Sequence, residues 1–192
     1  MLILDAREAS AALKKLGDDL PRALATGLNR TMAAIEQHQL VAMERTLDRP
    51  TPFTLNALRR FDARPDRLNA VMFVQPIQAK YLAAPIEGAT LPTSITPVIR
   101  HARLNPHGNL PGKRRGLSGV RGTARRKFVG TVNGTLGVYE RIGPQGRRLR
   151  TIAKVERNAR REKRWPYYET AERVAADRLR DDIHRAIAEQ LP

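Results

Sequence analysis

The strip 105–130, NPHGNLPGKRRGLSGVRGTARRKFVG, holds seven Lys/Arg, six glycines, two prolines and no acid. Residues of these kinds have little apolar surface to bury, so burial cannot offset the conformational entropy lost on ordering them. The strip therefore cannot found a fold. Any core comes from its flanks, and the strip is left to meet nucleic acid or another protein surface.

The charge around it narrows the classes of partner. Between Arg100 and Arg164 there are 19 Lys/Arg against three acids, Glu140, Glu156 and Glu162. That net +16 equals the net charge of the whole 192-residue chain, so everything else is neutral. A field this concentrated attracts polyanions, whether DNA, RNA or acidic protein. Apolar residues make up 41% of the chain, enough for a core, and with only 5% aromatics that core is expected to be aliphatic. The absence of cysteine excludes a disulfide framework, a thiolate zinc site and a cysteine nucleophile. MLILDAREAS has no basic leader, and no apolar run approaches the roughly 20 residues of a membrane span. The expectation is a soluble protein made in a cytoplasm, without membrane contact.

Periodicity places the elements. Asp5–Leu16 is an expected short helix, with Asp5 and Glu8 at capping-box spacing and Gly17 as its end. A second helix is expected from Asp18, Asp19, Leu20 and Pro21, with Leu24, Leu28, Met32, Ile35, Leu40, Met43 and Leu47 near the 3.6 period. Gly27 inside it costs about 1 kcal/mol and marks a place to kink. The prolines of Asp48–Pro52 stop this helix, and Thr51-Pro52 can restart a brief one through Leu58. Arg59–Arg64 and Ala70–Gln75 read as strands, and Gln78–Leu82 as a helical turn or short helix. From Pro85 to Gly122 nothing stays periodic. Phe128–Val132 and Leu136–Ile142 form an expected hairpin around Asn133-Gly134, and Leu149–Val155 a third strand. Glu156–Arg164 reads as a basic loop or short helix. A final helix runs from Tyr167 to Gln190, its stripe of Ala171, Val174, Ala175, Leu179, Ile183, Ala186 and Ile187 expected to face Leu24, Leu28, Met32 and Ile35. The order predicts one α+β domain over 1–192. Its long N-terminal helix and its C-terminal helix pack on a small antiparallel β-sheet, with an extended basic Gly/Pro-rich arm at about 100–127.

Chemistry is harder to find. His38, His101, His107 and His184 fall in different elements and show no metal pairing. Asp177, Asp181 and Asp182 are close in sequence, but Arg173, Arg178, Arg180 and Arg185 surround them at the spacings of ordinary exposed ion pairs. GNLPGKRRG lacks the spacing of a phosphate-binding loop, and Ser118 has no nucleophile-elbow pattern. No catalytic residue, cofactor or metal is expected, and the protein is expected not to be an enzyme. The candidate contact residues are Lys113, Arg114, Arg115, Arg121, Arg125, Arg126 and Lys127, which suit phosphates or an acidic protein face. Single-strand readers also need exposed aromatics, and the strip has only Phe128, expected in the core. Any DNA contact should be electrostatic and indifferent to sequence.

Five stretches share a pattern with known proteins: LPRALATGLNRTMAAI (20–35), RPTPFTLNALRR (49–60), YLAAPIEGAT (81–90) with HARLNPHGNLPGK (101–113), and WPYYETAERVAADRLRDDIHRAIAEQL (165–191). In these the chain resembles the minor tail protein Z, or tail completion, family of tailed bacteriophages, which is similar to head–tail joining and tail terminator proteins. The resemblance implies a structural virion protein at the head-proximal end of the tail, assembled in the host cytoplasm. It also implies a ring of identical subunits, commonly sixfold, that abuts the tail tube, tail terminator or head connector and surrounds the DNA path. On that reading the basic arm reaches a neighbouring subunit or partner ring in preference to the DNA in the lumen. The alternative is a non-virion protein that binds nucleic acid without sequence preference.

Overall fold

The computed structural model describes residues 7–102, 104–108 and 126–190. The expected α+β class is found, and the described chain packs as two compact units. One comprises the chain up to Thr46, Pro52–Lys80 and the chain from Trp165; the other comprises Leu47–Thr51 and Tyr81–Arg164.

The first unit is built on two helices, α1 (Arg7–Thr46) and the C-terminal helix α4 (Tyr167–Ala188). α1 is continuous through Gly17 and Pro21, where the sequence suggests a break. Pro21 cannot donate to the carbonyl of residue 17, but Gly17 is exposed, so water can serve that carbonyl. Gly27 is no kink either. A Cβ there would lie 2.7 Å from the Ile183 Cα, so the missing side chain lets α1 and α4 backbones approach. Ala34, Ile35 and Val174 form the buried centre, with Met32, Ala171, Ala175 and Met72 packed around them. Leu179, on the expected stripe, is half-buried.

After α1 the prolines admit only α2 (Pro52–Leu55), shorter than the expected run to Leu58. β1 (Leu58–Phe61) then pairs antiparallel with β2 (Val71–Val74), Leu58 opposite Val74 and Phe61 opposite Val71. The inner face of this hairpin carries buried Leu58, Met72 of the helical cluster, and Arg60, which binds Glu36 of α1 at 3.1 Å. Asn29 of α1 clamps the strand exit, donating to the Ala63 carbonyl at 3.0 Å and accepting from its N–H at 2.7 Å. α3 (Pro76–Glu87) follows, extending the expected helical turn or short helix at both ends, and the boundary between units falls within it after Lys80.

The second unit is a four-stranded antiparallel sheet in the order β3-β6-β5-β4. β4 (Lys127–Val132) and β5 (Thr135–Ile142) are joined by Asn133 and Gly134 at φ 47 and 74, the left-handed pair that a two-residue hairpin turn requires. β6 (Arg148–Arg161) runs well past the expected Val155, and β3 (Ala89–Pro97) occupies a segment expected to be irregular. Both departures have one cause, since the two strands pair with each other from Ala89–Arg161 to Pro97–Ala153. β3 lies at a sheet edge, where proline is tolerated, and Pro92 falls between the paired Leu91 and Thr93. Across from it Asn158 takes φ 52 and interrupts the ladder on its own strand. Val138, Ile152 and Ala153 make the core, with Ile95 and Ala102 against them.

Candidate interaction surfaces

Helix-pair geometry brings polar groups inside the first unit, but they close on one another. Gln39 is fully buried; it accepts from the Trp165 indole at 2.8 Å and donates to the Tyr167 carbonyl at 2.6 Å. Tyr167 in turn donates its hydroxyl to the Met72 carbonyl at 3.2 Å, and burial pushes its pKa up. Of the three aspartates read as exposed ion pairs, Asp177 fits, lying 3.8 Å from Arg173. Asp182 does not: it is 2% exposed and accepts from the Thr31 hydroxyl at 3.1 Å, with Arg178 at 3.4 Å. It shares a helical stripe with Val174 and Ala186, so its burial follows from α4 packing, which a polar residue does not advertise. Arg30 and Glu189 form a two-pronged pair at 3.0 and 2.7 Å, which holds the Glu189 carboxyl below its ordinary range.

The same unit leaves an apolar surface open. On the outer face of the β1–β2 hairpin, Phe61 is 58% exposed and its ring stacks 5.5 Å from Phe73. Val71, its ladder partner, and Leu68 in the turn are 43% and 44% exposed. The sequence reads VMFV (71–74) as a buried centre, but Val71 is exposed and the other three are half-buried, because a four-residue strand is too short to show which side its alternation buries.

In the sheet unit, Arg126 and Lys127 are the only two of the seven expected contact residues that are described; Lys113, Arg114, Arg115, Arg121 and Arg125 lie outside the described residues. Register draws these two into a basic cluster at the end of the sheet. Lys127 stands opposite Glu140, and Glu140 opposite Arg150, one row across three strands. Arg150 donates twice to one Glu140 oxygen, at 2.5 and 3.2 Å. That hydrogen bond, helped by the charges of Arg150, Lys127 and Arg126, keeps the Glu140 carboxyl below its ordinary range against the opposing effect of burial. In the next row the Arg126 carbonyl accepts from the Arg141 N–H at 2.9 Å. The Arg141 guanidinium lies over the Phe128 ring, 5.0 Å from its centre. The turn from β5 to β6 then uses Gly143, Gln145 and Gly146 at positive φ and delivers Arg147 and Arg148 to solvent. Arg141, Arg147, Arg148 and Arg150 lie outside the strip that drew attention in the sequence; only the paired strands show that they join it.

At the other end of β3 and β6, Glu87–Thr90 and Arg160–Lys163 border an open cleft of about 340 Å³. Arg161 there donates to Ser94, and both charge signs line the walls. His38 and His101 bond to the carbonyls of Ala34 and Thr151. Among the described residues no group of three or more His, Asp or Glu could hold a metal ion, and no helix is long and apolar enough to cross a membrane. No protein-family model, curated protein or solved structure matches the chain.

Proposed function

We propose that this chain is a structural protein of a tailed-bacteriophage virion, a ring-forming tail completion or head–tail joining component at the head-proximal end of the tail. The observation that carries the reading is the open outer face of the β1–β2 hairpin. Exposed Phe61 and Val71 stand side by side there with the half-buried Phe73 ring against Phe61, and Leu68 is exposed in the connecting loop. Contiguous exposed apolar surface of this kind marks protein contact. Here the hairpin is fixed from behind by Asn29, Arg60 and Leu58, so the surface is presented rigidly. Rigid presentation lowers the cost of association. Three of the tail-completion-like stretches fall on the same framework, 20–35 in α1, 49–60 from α2 into β1, and 165–190 in α4 and its approach, while 81–90 runs from α3 into β3. The basic strip up to Arg125 then serves as an arm to a neighbouring subunit or partner ring.

A second reading, a non-virion protein that binds nucleic acid without sequence preference, is favoured by the charge of the sheet unit. The two readings separate on assembly. The full chain should form closed rings, counted by native mass spectrometry and negative-stain microscopy. The double variant Phe61→Ser, Val71→Thr should stay folded and monomeric, since neither side chain is buried. A parent that remains monomeric at high concentration, or a variant that still forms rings, overturns the reading. Tight DNA binding by a parent that forms no rings moves the protein to the second class.

A further inference from the structure

The partner of the basic sheet end can be named more closely, on the premise of a ring that surrounds a DNA path. Of six cations at this sheet end, Lys127, Arg148 and Arg150 stand on the Glu140 face of three neighbouring strands, Arg141 projects from the opposite face over Phe128, and Arg126 and Arg147 adjoin the strand ends. Strands are about 4.8 Å apart and residues about 3.4 Å apart along them, so the cluster's backbone positions span roughly 10–15 Å. Arg150 and Lys127 are engaged with or beside Glu140. Arg126, Arg141, Arg147 and Arg148 form no ion pair with a carboxylate among the described residues, though the Arg126 charge acts on Glu140. Like charges held this close attract an anion from outside.

We propose that this sheet end grips the phosphate backbone of duplex DNA, without reading its sequence, through Arg126, Arg147 and Arg148, with Arg141 braced over Phe128. Three features favour duplex phosphates. First, the positions are fixed by ladder register and a tight turn, so phosphates are met by a preset surface. Second, the sheet offers no platform for unstacked bases: Phe128 is half-buried beside Arg141, and Tyr139 is 4% exposed with its hydroxyl on the Thr135 carbonyl. Single-strand binders use exposed aromatics for that purpose. Third, a protein partner would need an apolar centre, because the cores of protein interfaces are depleted in charge. In these rows the one exposed apolar side chain is Leu149, at 42%.

The test titrates the full-length protein with a random-sequence DNA duplex by fluorescence anisotropy, at salt between about 50 and 200 mM. Parent and the triple variant Arg126→Ser, Arg147→Ser, Arg148→Ser are compared, with folding checked by circular dichroism. A second triple, Arg45→Ser, Arg67→Ser, Arg180→Ser, removes the same charge from exposed sites of the neutral unit. Each lost phosphate contact should flatten the log–log salt slope by about 0.9 and weaken binding roughly eightfold at 0.1 M salt. Three contacts then cost a slope of about 2.7, while the control triple shifts it little. A folded sheet-end variant with the parental slope overturns the assignment, and so does an equal loss in the control triple, which would reduce the effect to net charge. Tighter binding of single-stranded DNA overturns the duplex assignment, and displacement by poly-glutamate at lower charge concentration than duplex makes this a protein site. Rings that form normally in the sheet-end variant leave the assembly reading standing. Duplex binding that survives in the Phe61→Ser, Val71→Thr variant leaves the DNA surface standing.

Discussion

At the scale of single residues, the strongest constraint on the helical unit is a glutamine. Gln39 is polar in a sequence whose helical period counts only apolar positions, yet it is fully buried and ties α1 to the Trp-Pro approach to α4. Pro166 caps α4 without a side-chain hydrogen bond, so this tie replaces the usual capping group in holding the helix start. Gln39→Leu keeps similar bulk but strands the buried Trp165 indole N–H, while the Tyr167 carbonyl, at the start of α4, retains its helical bond. One buried unpaired group costs about 1–3 kcal/mol, so the variant should lose about that much in urea unfolding. A loss below about 0.5 kcal/mol, the range of ordinary surface changes, would show that the network is dispensable.

At the scale of elements, two glycines on one helix make opposite predictions. Both gain about 1 kcal/mol of helix propensity on becoming alanine. At Gly17 nothing lies within 4 Å of the added methyl, so Gly17→Ala should stabilise by up to that amount. At Gly27 the methyl meets the Ile183 backbone at 2.7 Å, which has no rotamer to escape into. Gly27→Ala must part the helices and should destabilise by about 1–3 kcal/mol despite its propensity. Thermal melts of the two variants check this, and a shift of the same sign in both would refute the close approach. The pair also shows where sequence stops being legible. The long helix, the Asn133-Gly134 hairpin and the terminal helix were readable because their signals are local: a 3.6 period and a turn that needs two positive φ angles. β3 and the far half of β6 were not, since neither alternates and each exists because the other pairs with it. The basic cluster was half legible for the same reason. Arg126 and Lys127 stand in an obvious run, whereas Arg141, Arg147, Arg148 and Arg150 reach them only through register.

At the scale of the whole molecule, charge divides along the packing. The sheet unit, counted over its full sequence range, has 20 Lys/Arg against five acids, and the helical unit 15 against 14. Self-repulsion therefore burdens one unit and not the other. Sodium chloride screens it, since the Debye length falls from about 10 Å at 0.1 M to 3 Å at 1 M. The helical unit instead holds exposed opposite-charge pairs such as Arg30–Glu189, which screening weakens slightly. Raising salt should thus increase hydrogen-exchange protection at Val138, Tyr139, Ile152 and Ala153. Protection at Ile35, Val174 and Ala186 should stay level or fall. Chloride is the right anion, because sulfate is excluded from protein surfaces and stabilises any fold, which would blur the contrast. Equal gains in both units under chloride would mean that sheet repulsion is already relieved within the fold. A gain confined to the sheet would show the repulsion that a bound polyanion relieves, and short duplex DNA at low salt should then reproduce it on the same amides.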